Sequence, residues 1–139
     1  VPSSQFFILG NQLLFTTNRH RSKCDPELPP TYAFNTFLYP RLQEKGHSGV
    51  KRWTKKINIF NFSILLIPIH LGVHWCLAYV DVRKKIIRYL DSMGGANPQC
   101  RRILIQYLRE EIFVLSKKSY GQFSGSILRS DFWGHISVA

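Results

Sequence analysis

Two residues able to share a proton stand near the middle of this chain: His74, in VHW (Val73–Trp75), and Asp91, in YLDSMGG (Tyr89–Gly95). An imidazole with a carboxylate beside it is held in one tautomer, fixed in orientation and made a better base. That is the arrangement general-base and nucleophilic catalysis use. Whether the two groups meet depends on the segment that joins them.

Val73 to Val82 alternates in the manner of a strand. His74, Cys76, Ala78, Val80 and Val82 fall on one face; Val73, Trp75, Leu77, Tyr79 and Asp81 fall on the other. Arg83-Lys84 is the expected turn and Lys85 to Asp91 the returning strand. A two-residue loop, or a four-residue one, sets Val82 opposite Lys85 and Cys76 opposite Asp91. Asp91 is then the diagonal neighbour of His74, roughly 7–8 Å away at the backbone, with side chains that can touch. A three-residue loop puts the two on opposite faces and leaves an ordinary histidine and a strand-end aspartate. Upstream, Leu65 to Ile69 is short, apolar and rich in β-branched residues, as a buried strand is, and Leu71-Gly72 breaks it. The expected strands are Ile64–Leu66, Trp75–Val80 and Ile86–Tyr89.

The flanking segments read as helices. Tyr32 to Gly46 places Phe34, Phe37, Leu38 and Leu42 on one side, with Pro40 expected to kink or split it. Asn97-Pro98 is a helix start, Asn as cap and Pro in the first turn. Ile103, Leu104, Tyr107, Leu108, Ile112 and Leu115 then follow at helical spacing, with Arg101, Arg102, Arg109 and Glu110 outward. Arg101–Glu110 is the expected helical core. Cys100, near that start, is expected to be buried or idle for want of a base in its surroundings.

Composition narrows the function classes. The chain has 139 residues, 45% of them hydrophobic and 14% aromatic, enough for the core of one domain and too apolar for wholesale disorder. No apolar run reaches the length of a membrane span. Three cysteines without CxxC spacing argue against a disulfide framework and against a zinc site. A net charge of +11 suits an acidic protein partner, an anionic surface or nucleic acid. Lys51, Arg52, Lys55 and Lys56 interleave with Trp53, which fits single-stranded nucleic acid, a nuclear-targeting patch or a solvated face. No nucleic-acid reading module accompanies them.

VKRWTKK (Val50–Lys56), ILLIPIHLGVHWCLAYVDVRKK (Ile64–Lys85) and YLDSMGG resemble the SUMO-specific cysteine proteases, the sentrin-specific or Ulp-type family. The resemblance runs from about Phe34 to Arg109. It implies an α+β, papain-like fold with a central antiparallel hairpin flanked by helices. It implies His74 as general base, Asp91 as its orienting carboxylate, and Trp75 covering the Gly-Gly tail of the substrate, with His70, Arg52 and Phe37 at nearby substrate-contacting positions. SUMO and SUMO-conjugated proteins are the implied partners and the nucleus the implied location, with the cytoplasm second. No cofactor and no metal are implied. Residues 1–30 and 116–139 are expected to diverge from the family, leaving 31–115 as a partial catalytic domain.

The family's nucleophile lies in a Gly-Ser-Asp-Cys-Gly segment, and its substrate clamp begins in a Trp-Leu-Asn-Asp stretch. Neither occurs here. Laying QFSGSIL (Gln122–Leu128) over the nucleophile segment places Gln122 at the oxyanion hole and Leu128 at the nucleophile. Laying Ser130-Asp131-Phe132 there instead places Phe132 at it. Neither alignment supplies a sulfur. The expectation is therefore a truncated deSUMOylating protease, inactive as written. The alternative is a non-catalytic SUMO-binding remnant, and a basic nucleic-acid module ranks last.

Overall fold

A computed structural model of the chain describes residues 29–118 and 137–138. They form one five-stranded sheet, with the strands side by side in sequence order. β1 (Thr31–Ala33) runs parallel to β2 (Ile64–His70). β2, β3 (Trp75–Asp81) and β4 (Ile86–Leu90) make an antiparallel meander, and β5 (Ser137–Val138) adds in parallel to β4. Two helices accompany the sheet, α1 (Leu38–Lys45) and α2 (Pro98–Lys118). The fold is α+β, as the sequence leads one to expect.

Alternation decides the inner face. Leu65, Ile67 and Ile69 of β2, Cys76, Ala78 and Val80 of β3 and Ile87 of β4 are all buried. They share one core with Leu38, Tyr39 and Leu42 of α1 and with Leu104, Tyr107, Leu108 and Ile112 of α2. Burying a leucine such as Leu38, Leu104 or Leu108 contributes about 2 kcal/mol. Pro68, in the middle of β2, costs the ladder nothing. The Leu66 carbonyl points toward β1, where it accepts the Phe34 N–H. Pro68, two residues on, turns its nitrogen the same way, past the end of β1 at Ala33.

The hairpin has the register the sequence predicts. Asp81 pairs with Ile86 and Leu77 with Leu90, so the loop is the four-residue one, Val82 to Lys85. Asp81 Oδ1 accepts the Lys84 N–H at 2.9 Å and closes the turn. Lys85 takes a left-handed φ of 57° to re-enter the ladder.

The helix expected over Tyr32–Gly46 is corrected. Tyr32 and Ala33 belong to β1, and only Leu38–Lys45 is helical. Asn35 Oδ1 accepts the Phe37 N–H at 2.8 Å, turning the chain from strand toward helix. Pro40 neither kinks nor splits that helix, because it sits in the first turn, where no intrahelical acceptor awaits an N–H. α2 begins as read: Asn97 caps it by accepting the Cys100 N–H at 3.0 Å, and Pro98 follows. The same helix buries Glu111, which the sequence reading did not foresee.

Candidate active site

His74 lies just before β3 and Asp91 just after β4, at the same end of the hairpin. The backbone enters that end through a tight turn: Leu71 N–H donates to the His74 carbonyl at 3.0 Å, and Gly72 takes a φ of 88°. The two side chains meet, with His74 Nε2 3.1 Å from Asp91 Oδ1. Asp91 is held below its ordinary carboxyl range, first by the Met93 backbone N–H, which donates to Oδ1 at 2.8 Å. Burial opposes that shift, and the His74 ring and the Cys76 thiol add to it. An ionised carboxylate only accepts, so Nε2 carries the proton and donates it. In the neutral ring Nδ1 is then the lone-pair nitrogen. That atom is buried and has no hydrogen-bond partner among the described residues.

The LDSMGG segment earns its two glycines differently. Gly94 takes a φ of 74°, a conformation that side chains disfavour. Gly95 makes a close approach: a Cβ on it would stand 2.6 Å from Asp91 Oδ2. Gly95 therefore leaves the room in which the carboxylate sits. Sequence reasoning passed over this residue; the signal is a glycine four positions after the acid, in a turn that needs only one glycine for its backbone.

The other expected site residues form two groups. His70 and Trp75 are cross-strand partners at the end of the β2–β3 ladder, their rings stacked at 4.5 Å and tilted by 37°. Trp75 is half-buried and alternates to the face opposite Cys76. Phe37 is 47% exposed and lines a groove with Pro40, Arg41, Glu44, Gly49 and Trp53. Arg52 is exposed beside Trp53. Gln122, Leu128 and Phe132 lie outside the described residues.

Two cysteines lie in the described part. Cys100 is buried, and burial pushes its thiol up to about 12. Cys76 is buried on the same face as His74. Its sulfur, a ring nitrogen of His74 and an oxygen of Asp91 all lie within 4.8 Å of one another. A further histidine–carboxylate pair stands apart from this end: His47 Nε2 is 2.8 Å from Glu111 Oε1, and its Nδ1 is 3.6 Å from Glu110. Among the described residues no helix is long and apolar enough to cross a membrane.

Comparison with known proteins adds a second line of observation. The model of the Ulp1 protease family, C-terminal catalytic domain, matches residues 12–130. A sentrin-specific protease of Caenorhabditis elegans is 45% identical over 105 residues, 76% of this chain and 15% of that protein. The human sentrin-specific protease 3 is 53% identical over 89 residues, 64% of this chain and 16% of that protein. The chain thus spans only a small part of the curated relatives it matches. Among solved structures, the C-terminal Ulp1 protease domain in complex with Smt3, the yeast orthologue of SUMO, superposes with a TM-score of 0.55 at 38% identity. The match covers 69% of this chain and 45% of that one.

Proposed function

The chain belongs to the Ulp1 protease family, and from that premise we propose that it carries the base-and-orienter half of a SUMO-directed thiol protease site. The observation that carries this reading is the state of the His74 ring. Asp91 takes Nε2–H and leaves Nδ1 buried, with its lone pair unpartnered among the described residues. A thiol presented to Nδ1 gives up its proton there, and the thiolate attacks the carbonyl of the glycine before the scissile bond. His74 then returns the proton to the leaving amine, and water releases the acyl group by the same route. Asp91 stabilises the imidazolium in between.

Trp75, stacked on His70, is the proposed wall over the Gly-Gly tail, where a flat aromatic excludes any larger residue. Phe37 and Arg52 are the proposed contacts to the body of SUMO. A chain of net charge +11, with Lys51, Arg52, Lys55 and Lys56 all exposed, favours encounter with an acidic partner. The nucleus is the proposed compartment.

The 139 residues alone are proposed to bind SUMO without hydrolysing it. Cys76 is two residues from His74 in the chain and buried in β3, so it is not presented to an incoming carbonyl. Cys100 is buried and held as a thiol. The test is incubation of the purified chain with a SUMO precursor and with a SUMO-derived thiol trap, ubiquitin serving as control. Saturable SUMO binding with neither cleavage nor adduct is expected. Trp75→Ala should weaken that binding by about 30-fold, a typical loss for a central aromatic anchor. Cleavage abolished by His74→Ala would show that the chain does supply a nucleophile. Absence of SUMO binding by the folded chain would remove the substrate assignment.

A further inference from the structure

We propose that Glu111 is a positioning residue: from inside the core it fixes the exposed basic turn that carries Arg52 and Trp53, and so sets how that turn meets an acidic protein partner. The partner half of this inference rests on the reading of that face as the SUMO contact; the anchoring half does not. Residues 46–56 form a 3-10 turn, Gly46–Gly49, followed by further turns, and belong to no strand or α-helix among the described residues. Val50 N–H donates to the His47 carbonyl at 3.0 Å and Trp53 N–H to the Val50 carbonyl at 2.8 Å. Local bonds of that kind shape a turn but do not fasten it to the sheet or to α2.

Side chains do the fastening. Val50 is buried in the common core, and two polar residues reach one carboxylate. His47 Nε2 stands 2.8 Å from Glu111 Oε1, and the Thr54 hydroxyl 3.0 Å from Oε1 and from Oε2. A carboxylate only accepts, so ring and hydroxyl both donate to it, and charge strengthens each bond. Within KRWTKK the threonine alone is buried. His47 and Thr54 lie on either side of Lys51-Arg52-Trp53, all three exposed. Glu111 thus anchors both ends of a short exposed segment while being itself only 5% exposed, too deep to touch a macromolecule. Tyr107, one turn earlier on α2, backs the arrangement. Its ring lies against that of His47 at 5.8 Å, and burial and the Glu111 charge push its hydroxyl pKa up.

The anchored segment is one wall of the proposed partner face. Trp53 and Gly49 line a groove with Phe37 and with Pro40, Arg41 and Glu44 of α1. The face is therefore assembled from two elements, and α2 holds the second of them from behind. Contact residues that are ordered beforehand need not be ordered at the moment of binding, and affinity is higher by that cost.

The test measures affinity and order separately. SUMO binding by the whole chain is followed by titration calorimetry, and backbone order by NMR relaxation of the amides of residues 48–53. Glu111→Ala releases both anchors and should weaken SUMO binding by about 10-fold, the cost of ordering two side chains on binding. Thr54→Val keeps the shape and releases one anchor; a loss of about 3-fold is expected. Thr54→Ser keeps the hydroxyl and should bind as the parent does. If Glu111→Ala does not fold, the Thr54 pair decides alone. The loss should act through the turn, so Arg52→Ala should cost less in the Thr54→Val background than in the parent, while Trp75→Ala should cost the same in both. Order parameters of residues 48–53 should fall below the rigid value of about 0.85 in Thr54→Val, with those of β3 unchanged. Unchanged order in Thr54→Val, or an equal loss in Thr54→Ser, overturns the anchoring. Looser residues 48–53 with undiminished SUMO affinity, or fully additive losses with Arg52→Ala, overturn the positioning role. A parent chain that does not bind SUMO removes the partner reading instead, and the order parameters still judge the anchoring.

Discussion

Gly95→Ala is the smallest change that should disconnect His74 from its carboxylate. The added Cβ would lie 2.6 Å from Asp91 Oδ2, roughly 1 Å inside the distance at which non-bonded atoms settle. The backbone at Gly95 has no left-handed φ to defend, so the conflict is purely steric. The aspartate side chain is short, and moving Oδ2 by that amount swings Oδ1 with it. His74 Nε2 and Met93 N hold Oδ1 at 3.1 and 2.8 Å. A further shift of about 1 Å carries either contact beyond hydrogen-bonding range. The strands themselves are untouched, so the variant should fold. The assay is NMR of the His74 ring nitrogens. In the parent chain the neutral ring should be one tautomer, protonated at Nε2. In Gly95→Ala it should become a mixture and match Asp91→Ala. A ring that keeps its single tautomer in Gly95→Ala would refute the claim that this glycine makes room for the carboxylate.

Other expectations concern the rest of the described fold. The Thr54 hydroxyl stands 3.0 Å from both oxygens of buried Glu111, but it has one proton and so counts as one charge-assisted bond. Thr54→Val should therefore cost about 1.5–3 kcal/mol in urea unfolding, with an unchanged m-value. A loss under about 0.5 kcal/mol would place that carboxylate in water. Asp91 has a folded pKa below its unfolded value, so its contribution is present above the unfolded pKa and is lost as pH falls through the folded one. The stability difference between the chain and Asp91→Asn should shrink as pH falls below about pH 4. Parallel curves down to pH 3 would contradict this. Cys100, buried and pushed up to about 12, should resist alkylation at pH 8 until the chain is unfolded, as followed by mass spectrometry. Rapid labelling of the native chain would contradict that burial.

The hairpin was legible because its information is local. Alternation fixes which face is inward, and the number of residues between Asp81 and Ile86 fixes the register. The start of α2 was legible for the same reason, since Asn97 and Pro98 act on the turn that follows them. What escaped notice depends on partners distant in sequence. β1 is three residues long and exists only because Thr31 to Ala33 lie along Ile64 to Leu66. Phe34, Phe37, Leu38 and Leu42 have helical spacing, and that periodicity carries the expected helix back across the short strand. Glu111 reads as a surface acid in a helix rich in charge. Its burial is explained by Thr54 and His47, which stand 57 and 64 residues away. Pro40 misled for another reason: its effect depends on whether the helix begins at Tyr32 or at Leu38, and helix starts are the weakest part of a sequence reading.

A histidine touching a carboxylate is not by itself a catalytic arrangement, and this chain contains the control. His47 approaches Glu111 at 2.8 Å, closer than His74 approaches Asp91 at 3.1 Å. Its side chain is also the less exposed of the two, at 10% against 24%. By distance or by burial, His47 would be chosen first. The second nitrogen separates them. His47 turns Nδ1 toward Glu110 at 3.6 Å, so both sides of the ring face acids and the residue ties the turn at Gly46–Gly49 to α2. His74 has an acid on one side and, on the other, a nitrogen with no partner among the described residues. A ring fixed at both nitrogens holds structure together. A ring fixed at one nitrogen, with the other lone pair unclaimed, has a defined direction in which to accept a proton. That asymmetry, set by the hairpin register and by the room Gly95 leaves for Asp91, is what supports the proposed base role of His74.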